Sequence, residues 1–406
     1  RGGCHAMEGR GVIATYDDVL DSLTIWSATQ CPYLIRRSLS AQFNLPESRL
    51  RIIAPDVGGG FGPKAGFYIE EIIVHTGQHF DANMSDVFFE QMDIPRPNHY
   101  LKIANLSHGA MTGRMLEGIE ELIQQEKPDW VLVYGDTNST LAGALAAAKV
   151  HVPIAHVEAG LRSQNPDMPE EINRILTDRV SALLLCPTET AVNNLRKEGF
   201  PNRTIGKRQQ NIINVGDVMF DAVLHYRKRA LKEINLETFR LEHQGYALCT
   251  IHRQENTDQI KRIKSILTAL QSIAKDLIVV VPLHPRIKSK ISQYKLESFL
   301  ESLYLLDPIL YLEMQRLQMS AKFILTNSGG MQKEAYFHRV PCITLRDETE
   351  WVETVEIGWN NLAGTQTANI LEAFHKIGNN RMTIKRLYGD GKASNKILGN
   401  LRFSIS

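Results

Sequence analysis

The chain has 406 residues, of which 43% are hydrophobic and 22% charged, so it can bury a sizeable core and is long enough for two or three domains. This composition excludes a chain that is mainly disordered, collagen-like or coiled-coil. Lys and Arg number 46 against 45 Asp and Glu, and a net charge of +1 gives no overall field that favours nucleic acid or an anionic membrane. We therefore expect a small-molecule substrate, with no nucleic-acid or membrane partner.

The cysteines and the first residues indicate the compartment. No two of the five Cys form a C-x-x-C pair, which argues against a disulfide framework or a zinc ribbon and favours a reducing cytoplasm. No apolar run reaches the ~20 residues of a spanning helix, and residues 1–11 lack the charged-then-apolar order of a signal peptide. Because the sequence does not begin with Met, a fragment, a processed form and a fusion all stay open as interpretations of the chain.

The first seventy residues predict a small α+β segment. Residues 11–29 are typical of two strands around a turn, residues 31–43 of a helix and residues 50–54 of a third strand, with a glycine-rich run at 57–62 after it. That run fails the dinucleotide pattern G-x-G-x-x-G because Pro63 stands where the third Gly is required. A shift in composition near 65–72 predicts a domain boundary.

From about residue 72, short apolar runs alternate with stretches of helical periodicity. The apolar runs predict strands at 72–74, 130–134, 154–157, 183–185, 212–215, 247–250, 278–281, 323–325 and 342–345. The helical stretches lie at 109–126, 138–149, 171–180, 189–199, 217–233, 258–275, 331–338 and 366–378. Since continuous apolar strands need cover on both faces, the alternation predicts an α/β protein with two parallel doubly wound sheets, divided near 215–245.

Polar residues stand directly after many of these strands. They include Asp136, Glu158, His252, His284 with Arg286, Ser328 to Gly330, and Arg346. In an open parallel sheet, ligands bind outside the carboxyl ends of the strands, where strand order reverses. The repeated placement predicts one binding site built from these clusters.

Four carboxylates, Asp136, Glu158, Glu170 and Glu171, lie near predicted strand ends or helix starts and are candidate acid and base groups. When several carboxylates and a His face one cleft, the pKa of one group rises while another stays ionised, which supplies a proton donor and a proton acceptor. Structural interpretations stay open, since Asp136 precedes a Thr-Asn-Ser run as a helix cap does and Glu170 opens a helix after Pro169. His252 is a proton carrier on the first interpretation and a structural or surface residue on the second.

The Ser328-Gly329-Gly330 run lies between a predicted strand and a predicted helix. Backbone N–H groups at such a helix start bind phosphate, although a tight turn also explains the glycines. Arg286 and Arg346 are candidate clamps for a pyrophosphate or a carboxylate. Metal and serine-hydrolase chemistry have little support, because no H-E-x-x-H, EF-hand, G-x-S-x-G or His/Cys ligand cluster is present. We predict no metal.

Several segments occur in order along the chain: HTGQHFD at 75–81, YGDTNST at 134–140, HVEAGLR at 156–162, MPEEINR at 168–174, SGGMQKE at 328–334 and RDETEW at 346–351. Together they resemble the non-hydrolysing UDP-N-acetylglucosamine 2-epimerase family, from about residue 71 to residues 389–394. The resemblance implies two Rossmann-like domains of glycosyltransferase B type with the active site between them. It also implies a UDP-sugar substrate, a homodimer and no cofactor.

In that family UDP leaves by elimination across C1 and C2, which gives a 2-acetamidoglucal. UDP then adds back after reprotonation on the opposite face at C2. Such chemistry needs a base for a weakly acidic C–H, an acid on the other face, and cationic or N–H groups for the departing pyrophosphate.

The motifs carry the family's roles to particular residues. Asp136, Glu158, Glu170 and His252 match its catalytic residues, and Ser328 and Glu334 match its uridine and phosphate contacts. The other substrate-binding residues that we predict are Gln78, His79, Arg162, His284, Arg286, Gly329, Gly330 and Arg346.

Two segments, residues 80–85 and 347–353, look like the branch that acts on UDP-2,3-diacetamido-2,3-dideoxyglucuronate. Other epimerases place an Arg where this chain has Trp351. UDP-N-acetylglucosamine itself is the alternative substrate.

Residues 7–68 resemble a different family. The segments 7–12, 27–30 and 54–64 are similar to part of the molybdopterin-binding large subunit of molybdenum hydroxylases of the xanthine dehydrogenase type. Because so short a piece cannot build that cofactor site, we expect a joined fragment without its own activity. The predicted domains are this fragment at 1–70, an incomplete epimerase domain at 71–215, a UDP-binding domain at 216–385 and a C-terminal helix and tail at 386–406.

The epimerase resemblance lacks its beginning. Family members open with a strand, a Gly-Thr/Ala-Arg-Pro loop and a helix, and nothing in this chain matches them. The first strand of a doubly wound sheet is central, so its loss predicts exposed apolar faces on neighbouring strands and a missing phosphate-binding Arg. One alternative is that residues 51–54 and the glycine-rich loop take its place. Another is that the chain is an inactive UDP-binding remnant.

Overall fold

The computed structural model describes residues 12–17, 21–29, 31–43, 45–54, 71–78, 89, 91–201, 204–205, 208–251, 253–283, 285–377 and 385–403. These residues form two compact units. Unit 1 contains the described residues up to Ile73 together with those from Leu398 onward, and unit 2 runs from Val74 to Ile397.

Unit 1 is built on a three-stranded sheet and one helix. Strand β1 (Val12–Asp17) pairs antiparallel with β2 (Ser22–Ser27), β2 pairs parallel with β3 (Leu50–Ile53), and helix α1 spans Pro32–Phe43. Its core consists of Ile25, Ile35, Leu39 and Leu50. Because β3 belongs to this sheet, the interpretation that residues 51–54 replace the first strand of the epimerase fold is wrong.

The first part of unit 2, here called the N-terminal lobe, contains short parallel strands between amphipathic helices. Its strands are β4 (Val74–His75), β5 (His99–Tyr100), β6 (Val131–Tyr134), β7 (Ile154–Val157), β8 (Leu183–Cys186), β9 (Thr204–Ile205), β10 (Arg208–Gln209) and β11 (Asn211–Asn214). Its helices are α2 (His108–Glu126), α3 (Asn138–Lys149), α4 (Pro169–Val180) and α5 (Glu189–Lys197). Strands β9 and β10 form a small antiparallel hairpin in a stretch that the sequence predicts as a surface loop.

The strands of this lobe lie in separate sheets. Four parallel strands have the order β11-β8-β7-β6, and β4 pairs with β5 in a sheet of its own. Strands β7 and β8 are fully buried, whereas Tyr134 of β6 is 55% exposed. The other edge strand, β11, is also partly exposed, so the central strands of this sheet are buried and its two edges are not. A hydrogen bond of 2.7 Å between the hydroxyls of Thr76 and Ser139 links the β4 end to helix α3.

The second part of unit 2, the C-terminal lobe, is built on a six-stranded parallel sheet. Its strands are β12 (Tyr246–Thr250), β13 (Ile278–Pro282), β14 (Tyr304–Leu306), β15 (Phe323–Thr326), β16 (Cys342–Thr344) and β17 (Asn360–Leu362). Its helices are α6 (Val218–Glu233), α7 (Gln254–Thr257), α8 (Ile260–Ile273), α9 (Pro285–Tyr294), α10 (Tyr311–Ser320), α11 (Gly329–His338), α12 (Val352–Glu356) and α13 (Thr367–Lys376). Helix α14 (Ala393–Phe403) follows them in the chain, and its residues from Leu398 onward belong to unit 1.

Strand order in this sheet is β14-β13-β12-β15-β16-β17, so the direction of winding reverses between β12 and β15. Alternate strand residues enter two different hydrophobic clusters: Ala247 and Cys249 pack on one face, and Tyr246 and Leu248 on the other. This burial on both faces explains why the strands are continuous apolar runs. The reversal places a ligand crevice at the carboxyl ends of β12 and β15.

The polypeptide passes from the N-terminal lobe to the C-terminal lobe at Gly216, which lies against the segment that precedes α14. Gly216 has φ +89°, and a Cβ added there would lie 2.9 Å from the carbonyl oxygen of Tyr388. The backbone N–H of Asp217 donates to that same oxygen at 3.0 Å. Gly389 is equally tight, since its added Cβ would lie 3.0 Å from the Cα of Gly216. Only glycine fits at this crossing.

No helix in the described part of the chain combines the length and the apolar character that crossing a membrane requires.

Candidate functional site

A pocket of ≈ 550 Å³ opens where the carboxyl ends of strands from both lobes meet. The N-terminal lobe lines it with Tyr134, Gly135, Asp136, Val157, Glu158, Leu161, Met168, Glu170 and Arg174. The C-terminal lobe lines it with Val218, Met219, Ala222, Arg253, Ser328, Gly329, Gly330, Lys333, Glu350 and Trp351. Of the predicted site residues, this pocket brings together Asp136, Glu158, Glu170, Ser328, Gly329 and Gly330.

Asp136 is held in the turn between β6 and α3. Thr137 caps α3 by accepting from the backbone N–H of Thr140, and the amide of Asn173 donates to the Asp136 carbonyl at 2.9 Å. The Arg174 guanidinium donates to the Asp136 carboxylate at 2.5 Å. Burial nevertheless outweighs this cation and raises the pKa of Asp136.

Glu158 follows strand β7 directly and adopts an unusual backbone conformation. Its φ is +73°, which is unfavourable for any residue that has a Cβ. Such a conformation persists only where the surrounding structure holds it. The Glu158 N–H donates to the Leu185 carbonyl at 3.1 Å, and a Cβ on Gly135 would lie only 3.4 Å from the Glu158 carboxylate. This turn therefore aims the Glu158 side chain at the loop that carries Asp136.

His156 fixes the two loops against each other. This fully buried residue of β7 places one ring nitrogen 2.7 Å from the Asp178 carboxylate and the other 2.8 Å from the carbonyl oxygen of Gly135. Asp178 also accepts from the backbone N–H of Gly160 at 3.2 Å. The pocket carboxylates thus stand on a buried polar network and not on free loops.

Two adjacent glutamates at the start of α4 have different surroundings. Glu170 is exposed and lines the pocket. Glu171 is buried, where it accepts from the backbone N–H groups of Ser163 and Gln164 and from Arg174. The sequence predicted Glu170 as the site residue of this pair, and Glu171 shapes the loop beside it.

The opposite wall is the beginning of α11. The Ser328 hydroxyl caps this helix by accepting from the N–H of Met331 at 3.4 Å, and Gly329 and Gly330 leave the first turn without side chains. A Cβ on Gly329 would lie 3.3 Å from Trp351 Nε1 and 3.8 Å from an Arg253 guanidinium nitrogen. An anion at this helix start would meet N–H donors, the helix dipole and Arg253 together.

Lys333 lies on the same helix and faces both lobes. Its Nζ donates to the Glu158 carboxylate at 2.6 Å and to the Asp217 carboxylate at 2.8 Å. Burial opposes the ammonium charge, but the two carboxylates outweigh burial and raise the pKa of Lys333. Burial likewise favours protonated Glu158, yet the Lys333 ammonium keeps the pKa of Glu158 below its usual range. Glu158 is therefore an ionised carboxylate in the pocket.

Four other predicted substrate-binding residues do not line the pocket. The Arg162 guanidinium binds Asp178 and Glu198, and the buried Arg346 guanidinium binds Glu350. The Glu334 carboxylate points into the lobe, where it accepts from the amides of Gln315 and Gln318. Gln78 accepts from the N–H and the hydroxyl of Ser139. In the first three cases buried partners hold the side chain away from the cleft.

The predictions for His79, His252 and His284 lie outside the described residues. Arg286 is in helix α9, and its side chain is also outside the description.

The predicted site residues leave out four charged residues of the pocket: Arg174, Arg253, Lys333 and Glu350. Arg174 and Lys333 stand inside the quoted motifs at 168–174 and 328–334, and Glu350 stands inside the one at 346–351. A charged residue inside a recognised motif was therefore the signal that could have identified these three residues as part of the site.

The profile of the family described as UDP-N-acetylglucosamine 2-epimerase matches residues 64–402. The chain belongs to this family. A UDP-2,3-diacetamido-2,3-dideoxy-D-glucuronate 2-epimerase of Pseudomonas aeruginosa is 52% identical over 331 residues, which cover 81% of this chain and 90% of that protein. A UDP-N-acetylglucosamine 2-epimerase homolog of Methanococcus maripaludis is 48% identical over 344 residues, or 82% of this chain and 92% of that protein.

A crystal structure of the UDP-GlcNAc 2-epimerase of Methanocaldococcus jannaschii, in complex with UDP-GlcNAc and UDP, superposes with a TM-score of 0.76 at 41% identity. The superposition covers 83% of this chain and 93% of that chain. The predicted family and its fold of two Rossmann-like domains are thus confirmed for this member of the epimerase family.

The molybdopterin cofactor-binding domain profile matches residues 1–77, which confirms the second predicted resemblance. The glycine-rich run at 57–62 lies outside the described residues. In the described part of unit 1, the buried side chains are apolar apart from Thr29. These residues do not fit a pterin cofactor, which needs many hydrogen-bond partners.

Proposed function

We propose that this chain is an epimerase that inverts C2 of a UDP-linked 2-acetamido sugar. The observation that carries the proposal is the division of one pocket between two walls. Carboxylates line the N-terminal wall, and a glycine-rich helix start with nearby cations lines the C-terminal wall. Proton transfer at carbon and departure of a pyrophosphate need these two kinds of group on opposite sides of one substrate.

The carboxylate wall supplies the proton transfers in this proposal. Glu158 is ionised beside Lys333 and accepts the C2 proton, while the C1–O bond breaks and UDP takes the electron pair. Burial raises the pKa of Asp136, and this carboxyl starts protonated and donates its proton to the opposite face of C2 as UDP re-forms the C1–O bond. Solvent then takes the proton from Glu158 and restores the proton on Asp136. Environments that push two neighbouring pKa values apart are the usual basis of such a division of roles.

The helix start binds UDP in this proposal. Ser328, Gly329 and Gly330 line the pocket at the start of α11, and Arg253 adds a positive charge close to Gly329. The N–H donors at this helix start stabilise the pyrophosphate most when it carries the charge of the leaving group. UDP therefore stays bound while the glucal intermediate is reprotonated.

We propose UDP-2,3-diacetamido-2,3-dideoxyglucuronate as the substrate and UDP-N-acetylglucosamine as the alternative. The relative from Pseudomonas aeruginosa that bears the first sugar in its name supports this order. Trp351 in the pocket wall supports it as well.

The test is proton NMR of the purified protein in D₂O with each UDP-sugar. The proposal predicts loss of the C2 proton signal and appearance of the C2-inverted sugar with at least one of them. The alternative of an inactive UDP-binding remnant is favoured by the separation of β4 and β6 into different sheets. A folded protein whose melting temperature rises with UDP, but which exchanges neither sugar, would establish that remnant instead.

We also propose a cytoplasmic homodimer, which the family resemblance supports. Sedimentation equilibrium of the purified chain tests the assembly, and a mass near that of one chain at micromolar concentration contradicts it.

A further inference from the structure

We propose that Lys333 is a positioning residue that fixes the Glu158 carboxylate for proton transfer at C2. The inference rests on the proposed function, and it assigns a role to a residue that the sequence did not single out. Its basis is one ammonium group that contacts carboxylates from two different parts of unit 2.

The geometry leaves the Lys333 ammonium few other positions. Nζ lies 2.6 Å from Glu158 and 2.8 Å from Asp217, and it stands 4.2 Å from the centre of the Trp351 ring. The Lys333 side chain is 3% exposed. A cation over an indole face is attracted to it, so three separate contacts direct the ammonium.

Asp217 is a fixed anchor and Glu158 is the adjustable partner. The Asp217 side chain is fully buried, and its carboxylate also caps α6 by accepting from the Met219 N–H at 2.7 Å. The Glu158 side chain is 26% exposed, because its carboxylate borders the pocket. Lys333 therefore ties a reacting group to a rigid one.

Other charged groups also surround Glu158. Arg174 from α4 and His156 from β7 favour its ionised form, whereas the carboxyl groups of Asp136 and Asp217 lie near it and oppose that form when they are ionised. Lys333 makes the one direct ion pair that the structure shows for Glu158 among these described groups. Removal of the ammonium leaves two carboxylates facing each other in a buried site, which opposes ionisation of both.

The test compares Lys333→Met with Asp217→Asn in the C2 exchange assay across pH. Lys333→Met is expected to move the acid limb of kcat/KM upward by on the order of one pH unit, because Glu158 loses its counter-charge. Asp217→Asn is expected to move that limb downward, because Glu158 loses an anionic neighbour and keeps the full charge of Lys333. A structural disturbance alone moves both variants in the same direction. Lys376→Met, which removes a cation from an exposed pair with Glu372, is the matched control.

If the acid limb of kcat/KM is unchanged in both variants, the inference is overturned. The proposed function is still supported in that case, provided that the unmodified protein exchanges the C2 proton. If Lys333→Met does not fold, the Asp217→Asn variant alone tests the inference. An acid limb of kcat/KM that is unchanged or moves to higher pH in this variant contradicts it. If the unmodified protein exchanges neither sugar, the proposed function fails. Urea unfolding of Lys333→Met, Glu158→Gln and the double variant then still tests the pair, because additive shifts of the midpoint show that Lys333 does not hold Glu158.

Discussion

The two walls of the pocket use different chemical groups for different purposes. On the N-terminal wall, the side chains of Asp136 and Glu158 stand at the ends of neighbouring strands and rest on buried ion pairs. On the C-terminal wall, the Ser328 to Gly330 turn presents backbone, and its side chains are a hydroxyl and two hydrogen atoms. The first wall therefore carries groups that gain and lose protons, whereas the second lets a ligand come close to the backbone.

This difference separates turnover from binding. A carboxylate can be replaced by its amide with little change in shape, so the first wall is sensitive to charge. A glycine-rich turn has no charge to lose, so the second wall is sensitive to added volume. Substitutions on the two walls should therefore fail in different assays.

The largest effect is expected for Glu158→Gln. It removes the proposed base, and we expect C2 exchange to fall by about 10²–10⁴ while UDP affinity changes little. NMR exchange and calorimetric titration with UDP measure the two quantities. Glu189→Gln, a change at an exposed carboxylate that accepts from Asn214, is the control. Exchange within tenfold of the unmodified protein removes Glu158 from the mechanism.

The next effect concerns pH and the second turn of α11. Burial raises the pKa of Glu334 to about 7, above the value of the unfolded chain. The folded state therefore holds this proton longer, and stability is lost as pH rises from about 4.5 to about 7, by up to roughly 3 kcal/mol. Glu334→Gln cannot titrate, so its free energy of unfolding minus that of the unmodified protein is expected to grow over this range. Urea unfolding at several pH values measures it, and a constant difference contradicts the assignment.

A smaller effect is expected for Gly329→Val. The added atoms point between Trp351 and Arg253 and cover the N–H groups at the helix start. We expect UDP affinity to fall roughly tenfold, the value of one hydrogen bond to a charged group. Gly109→Val, at a helical position with open space around it, is the control. Equal UDP affinities of the variant and the unmodified protein would place the phosphates elsewhere.

The smallest effect is expected for Arg36→Ala in unit 1. It breaks a surface ion pair with Glu47 in which both side chains are more than a third exposed. We expect less than about 1 kcal/mol of stability to be lost and no change in C2 exchange or UDP affinity. Thermal melting and the exchange assay check this, and a clear loss of exchange connects unit 1 to the pocket.

The sequence predicts the buried centre of the fold well. Strand β7 and helix α3 have the predicted bounds, because one is an apolar run covered on both faces and the other starts at a Thr cap. Strands β14 and β17 were missed. They are the edge strands of their sheet, where Leu305 is exposed and polar Asn360 enters the strand. Edge positions relax the hydrophobic pattern on which the prediction depends.

The site was predicted less completely. The sequence does not show which way each side chain of a helix points, nor which residues far apart in the chain come into contact. Lys333 and Glu334 are adjacent in sequence, and successive helical residues point about 100° apart. Only Lys333 faces the pocket, whereas Glu334 faces the buried amides of α10. The Lys333 pair with Glu158 joins residues 175 positions apart, so no local spacing predicts it.

The close contact of Gly216 with Gly389 marks the place about which we expect the two lobes to pivot. A rotation about this place would widen the mouth of the pocket and would leave the strand pairs within each sheet intact. The ion pair between Lys333 and Glu158 joins the two walls of the pocket and would have to break for the mouth of the pocket to widen. A side chain at position 216 would wedge the pivot and so change how fast substrate enters and product leaves, without touching either wall.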